Sequence, residues 1–104
     1  FRNARPSAEE LPPSIVRDIA SKLLGLGLKF SPAQEAFRIT GVVPGSSAEA
    51  LGLQPGDYLL GVNGVVLSTQ EDLRRGVARL RGRARALVVV QRGSGRYHLT
   101  LPLQ

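Results

Sequence analysis

The sequence contains no cysteine, no methionine and no tryptophan, and its only histidine is His98. Without cysteine there is no disulfide framework, no thiol nucleophile and no thiolate metal site, and the redox compartment stays undecided. A single histidine leaves no spare members for a Ser/His/Asp constellation or a multi-histidine metal centre. Aromatic residues are scarce as well: Phe1, Phe30, Phe37, Tyr58 and Tyr97 are all of them. No apolar run approaches the roughly 20 residues that a membrane-spanning helix needs, and none is read as a signal peptide. No membrane insertion, metal or cofactor is expected.

Acidic charge is the minority sign: 8 Asp and Glu face 14 Lys and Arg, a net charge of +6. Six arginines, Arg74, Arg75, Arg79, Arg81, Arg83 and Arg85, fall in one short stretch. Such a cluster can mark a nucleic-acid or anionic-lipid patch. No aromatic residue interleaves with it, as base stacking would require. A solvated helix face and loop is therefore the expected role, with no nucleic-acid partner. The 104 residues suffice for one core, and the balance of 42% apolar to 21% charged residues suits a folded domain. Phe1 in place of Met reads as a piece of a longer protein.

Residues 1–12 are polar, proline-containing and aperiodic, and read as a linker or a cut edge. From Pro13 to Leu24 the pattern is helical: Ile15, Ile19 and Leu23 recur with Val16, Ala20 and Leu24 beside them, opposite Arg17, Asp18 and Lys22. Pro13 suits the first turn and Gly25 the left-handed C-terminal cap. This stripe is expected to pack on its own domain and to orient the loop that follows. Short strand-like runs come next, at Gly27–Phe30, Ala36–Val43, Tyr58–Val62, Val65–Leu67, Ala86–Gln91 and Arg96–Leu101. Asn63-Gly64 signals a type I′ hairpin and Pro55-Gly56 a type II turn. Arg92-Gly93-Ser94-Gly95 reads as a further hairpin connection, and Gly41 marks a bulge. A brief helix fits Ser47 to Leu51. A longer one starts at the capping box Ser68-Thr69-Gln70-Glu71 and runs to about Leu80, ended by Gly82. The expected fold is a single small α+β domain, a partly open five- to six-stranded barrel or sandwich with two to three helices.

Gly25-Leu26-Gly27-Leu28-Lys29-Phe30 resembles the glycine-hydrophobic-glycine-hydrophobic loop of PDZ domains. The stretch from Val42 through Pro44-Gly45-Ser46-Ser47-Ala48 to Leu51-Gly52-Leu53-Gln54-Pro55-Gly56-Asp57 is similar to the bacterial PDZ signature. Tyr58–Gly64, the Ser68 helix and the strand Leu87–Arg92 continue it, so the likeness covers about residues 24–101, with the PDZ domain read as 13–104 (helix 13–24, core 25–101). Ser47 stands where the family usually has Pro, and Leu51 where it usually has Ala; both lie on the short helix. The order of elements looks like the circularly permuted arrangement of bacterial PDZ modules.

The resemblance implies a peptide-recognition module that adds an extended chain as a strand to an exposed edge. It implies a carboxylate loop at Gly25, Leu26, Gly27 and Leu28, with the amides of Leu26, Gly27 and Leu28 as donors. It also implies a pairing strand through Lys29 and Phe30 and a groove helix presenting Leu73, Gly76 and Val77. Leu23-Leu24-Gly25-Leu26 is a competing register for the loop, shifted by two residues. Charged and ladder hydrogen bonds with one buried side chain, less ordering costs, point to roughly micromolar affinity. The implied partners are C-terminal or unfolded polypeptide segments and a protease domain in cis. The implied parent is a bacterial HtrA/Do-type serine protease of the periplasm or cell envelope. A scaffolding module of a secretion or envelope complex, or a carboxy-terminal processing or site-2 protease, is the alternative.

No catalytic constellation is read in the chain itself. Ser46, Ser47, Ser68 and Ser94 have turn or cap roles and no adjacent base. His98 is expected at an exposed strand position. Glu9-Glu10 and Glu71-Asp72 are acidic pairs without a pocket, the second suiting a helix N-terminus.

Overall fold

The computed structural model describes residues 12–103; the expected linker, apart from Pro12, lies outside the described residues. The elements are α1 (Pro13–Leu24), β1 (Leu26–Ser31), β2 (Ala36–Val42), α2 (Ser47–Ala50), β3 (Tyr58–Val62), β4 (Val65–Val66), α3 (Gln70–Ala78), β5 (Arg85–Arg92) and β6 (Gly95–Pro102). The six strands form one open antiparallel sheet in the order β1-β2-β3-β5-β6, with β4 paired to β3. An α+β domain with three helices is what the sequence predicts.

Turn chemistry places most of the strand ends. Asp57 donates its N–H to the Gln54 carbonyl at 3.1 Å across Pro55-Gly56. Asn63 and Gly64 both have positive φ, 47° and 84°, as a two-residue type I′ connection requires. Arg92 pairs with Gly95 across Gly93-Ser94. Along β5 the alternation is clean: Ala86, Val88 and Val90 are buried, whereas Arg85 and Leu87 face solvent. The core gathers Leu24, Leu26, Phe37, Ile39, Leu59, Val62, Leu67, Val88, Val90 and Leu101.

Val16, Ala20 and Leu24 are buried, and α1 packs against α3 and β1, so the helix does rest on its own domain. Its end is set by Gly25, in the left-handed region at φ 73°, whose N–H reaches the Ser21 carbonyl at 2.8 Å. The cap of α3 differs by one residue from the expected box. Thr69 is the N-cap, its hydroxyl accepting the Asp72 N–H at 3.3 Å, while the Asp72 carboxylate accepts the Thr69 N–H at 2.9 Å. Asp72 also takes the Ser68 N–H and hydroxyl and the Arg75 guanidinium. The geometry favours whichever acid sits at N3, and there that is Asp72 rather than Glu71. The helix closes at Ala78, with Arg79 as C-cap, short of Leu80.

One ion pair ties distant loops. Arg92, at the end of β5, grips the carboxylate of Asp57 through Nε (2.9 Å) and Nη2 (2.7 Å), and Nη2 also reaches the Gly52 carbonyl at 2.8 Å. Asp57 is buried and accepts the Gln54 N–H as well. The Arg92 hydrogen bonds hold its carboxyl below the usual carboxylate range, against the upward push of burial.

Candidate functional site: the free edge of β1

Among the described residues β1 has one neighbour, β2, and its other side is a sheet edge. Which backbone groups reach that edge follows from register. Leu26 pairs with Val42, and the Val43 N–H bonds the Gly25 carbonyl at 3.0 Å. On the far side of β2, Ile39 commits its N–H to Asp57 and its carbonyl to the Gly56 N–H, both at 2.8 Å. Strand alternation then turns the backbone groups of Gly27, Lys29 and Ser31 toward β2. Those of Leu26, Leu28 and Phe30 face the edge. No backbone hydrogen bond outside the β1–β2 ladder reaches these three among the described residues.

The side chains divide the other way. Leu26 and Leu28 are 1% and 6% exposed, and Phe30 is half-buried with its ring 5.2 Å from that of Phe37. Lys29 points to the solvent face of the sheet. From α3, Leu73 and Val77 are 3% and 4% exposed and join the same cluster. Leu26, Leu28, Leu73 and Val77 are thus members of the domain's one core cluster, together with residues from every part of the sheet.

Two expected residues have other tasks. A Cβ on Gly76 would stand 3.3 Å from Leu67 and 3.8 Å from Val62. Gly76 thus faces the core floor, where its small size lets α3 settle onto β3 and β4, and it does not line a slot beside β1. A Cβ on Gly27 would stand 2.7 Å from the Thr40 hydroxyl oxygen. Thr40 is the extra residue of the β2 bulge, since Gly27 faces Gly41 and Leu28 faces Ile39. Gly27 is needed for that close approach, and its N–H faces β2 rather than the edge. The shifted register offers no more: the Leu24 N–H lies inside α1 and the Gly25 N–H is held by Ser21.

Sequence reasoning missed the link between Asp57 and Arg92, 35 positions apart. The signal was faint: each closes a turn motif, but nothing local joins them. The arginine stretch spreads out as expected of a solvated surface. Arg74 and Arg75 pair with Glu71 and Asp72, Arg79 contacts the Asn63 carbonyl, and Arg81, Arg83 and Arg85 are exposed. His98 is exposed on β6. Among the described residues no three His, Asp or Glu cluster as metal ligands. No helix there is long and apolar enough to cross a membrane.

Comparison with known proteins agrees with this geometry. Residues 38–92 match the family model described as PDZ domain. A PDZ domain protein from Parabacteroides distasonis superposes with a TM-score of 0.65 at 22% identity, over 78% of this chain and 19% of that one. The HtrA3 PDZ domain bound to a phage-derived ligand (FGRWV) gives 0.63 at 21% identity, over 78% of this chain and 83% of that one. The HtrA-type protease AlgW with a decapeptide gives 0.61 at 25% identity, over 77% of this chain and 28% of that one. This chain thus spans under a third of the Parabacteroides and AlgW chains. No curated protein matches significantly. With the family model covering more than half of the sequence, the chain belongs to the PDZ domain family.

Proposed function

We propose that the domain captures extended polypeptide segments by strand addition along β1, as the substrate-recognition or regulatory domain of a bacterial HtrA/Do-type serine protease of the periplasm or cell envelope. The observation that carries the binding reading is the free edge itself. Among the described residues Leu26, Leu28 and Phe30 turn N–H and C=O groups away from β2 with no ladder partner there, and of the three Phe30, half-buried, is the most accessible. Peptides bound to the HtrA3 and AlgW structures support the same reading, and the choice of parent rests on the resemblance of the sequence to the PDZ modules of HtrA-type proteases. Each ladder bond contributes about 0.5–1.5 kcal/mol, so a short pairing gives micromolar or weaker affinity, suited to a client that must be released. Catalysis would belong to a protease domain in cis. Titrating the domain with extended apolar peptides, followed by NMR shifts, should move amides along the β1 edge, wherever within residues 26–31 the contact falls. Shifts confined to other surfaces would reject the reading. A Ser/His/Asp protease domain in the full-length sequence would support the parent, and its absence would remove it.

A further inference from the structure

We infer that this edge accepts internal segments of a polypeptide rather than its C-terminal carboxylate. The inference rests on the strand-addition reading and narrows it to a ligand class. A terminal carboxylate needs several convergent N–H donors at the start of β1. Here the Leu24 N–H belongs to α1, the Gly25 N–H is bonded to Ser21, and the Gly27 N–H is turned to β2. Leu26 alone turns to the edge at that end, in a residue only 1% exposed, and the next edge donor, Leu28, is two residues along the strand.

Charge opposes the anion as well. Helix α1 ends at Leu24, so its C-terminal carbonyls, the negative end of the helix dipole, stand where the carboxylate would dock. Shape opposes it too. The resemblance to PDZ domains places the pocket for a terminal side chain between Leu26, Leu28, Leu73 and Val77. These are already covered, and Leu24 of α1 sits in the same cluster with no exposure. The last turn of α1, which packs against both α3 and β1, thus adds to the cover over these side chains. Further along the cover thins: Phe30 turns its backbone groups to the edge, and Phe30 and Ser31 are only half-buried. A strand running through that region gains ladder bonds without needing to end there.

The test compares three forms of each peptide in a set of apolar pentapeptides that includes FGRWV: free acid, C-terminal amide, and the sequence extended by Gly-Ser after its last residue. Affinities come from titration of the native domain, with NMR shifts locating the contact. The expected result is binding of all three forms within about threefold, with shifts centred on residues 28–31. A set of charged hydrogen bonds to a carboxylate contributes roughly tenfold or more. A free acid at least about tenfold tighter than its amide and extended forms, with shifts at Leu26 and Gly27, would overturn the inference and leave strand addition standing. Failure of all forms to bind would overturn the strand-addition reading and this inference with it.

Discussion

Gly27 shows how a residue common to a motif can be held for a reason of packing. Any side chain there meets the Thr40 hydroxyl at 2.7 Å, inside the bulge. Gly27→Ala should lower stability by about 1–3 kcal/mol, the usual cost of overpacking. Thr40→Ala in the same chain should return most of that loss, which a double-mutant cycle in urea would show. Additive losses would mean that the two residues do not meet. The Asp57–Arg92 pair makes a second prediction at this scale. Asp57→Asn should cost about 2 kcal/mol, since it weakens hydrogen bonds to a charged group, while Arg92, 45% exposed, can rehydrate. The sign with pH follows from the lowered carboxyl. Its contribution is complete above the unfolded value near 4 and is lost as pH falls through the lower folded value. Asp72 acts in the same sense: burial raises its pKa, but the Thr69, Arg75 and Ser68 hydrogen bonds outweigh burial. Urea midpoints should therefore drop below about pH 4, and less steeply in the Asp57→Asn variant.

Among the elements, α1 is the one whose role depends most on what it touches. Its stripe Val16, Ala20 and Leu24 is buried, Ile19 is partly so, and Ile15 is 44% exposed. Val16→Ala should cost about 1–3 kcal/mol by loss of buried methyls, and the half-buried Ile19→Ala should cost less than a full core truncation. Denaturant midpoints with amide exchange over residues 15–24 would check this. An unchanged midpoint with rapid exchange would mean that α1 does not dock on the domain. In α3, Thr69→Ala removes the N-cap and should cost about 1 kcal/mol. Ser68→Ala should cost less, because the Ser68 N–H still reaches Asp72.

Across the whole molecule, basic charge is spread over the solvent-facing side of the sheet and the loop after α3. Lys29, Arg38, Arg85 and Arg96 lie on strands, and Arg81 and Arg83 on the loop, all exposed. Among the acids, Asp57, Glu71 and Asp72 are engaged by arginines. Such a field attracts polyanions without reading them. Duplex DNA should bind weakly, with affinity collapsing between low and physiological salt. Submicromolar binding retained at physiological salt, and lost when Arg81 and Arg83 are neutralised, would reverse this assignment.

The elements themselves were legible because their signals are local. The span Tyr58–Val62 was readable to the residue from its flanking turns, and Pro13–Leu24 from its period, its proline and its glycine cap. The break at Gly41 announced the bulge. The site was legible only as a stretch of chain. Gly25 through Phe30 could be named as candidates, as could Leu73 and Val77, through the resemblance of the glycine-rich stretch and the Ser68 helix to those of PDZ domains. What spacing could not supply was direction. Whether the Gly27 amide turns to β2 or to the edge depends on a register set by Val42 and Val43. Whether Gly76 looks to the core depends on Leu67 and Val62 beneath it. The choice of Asp72 over Glu71 depends on cap geometry, and the grip of Arg92 on Asp57 on two loops meeting. By itself the sequence determined the fold, since turns, caps and periodicity act over a few residues. Tertiary structure alone decided which way the β1 backbone groups turn and which side chains are covered, since both depend on residues far apart in the chain.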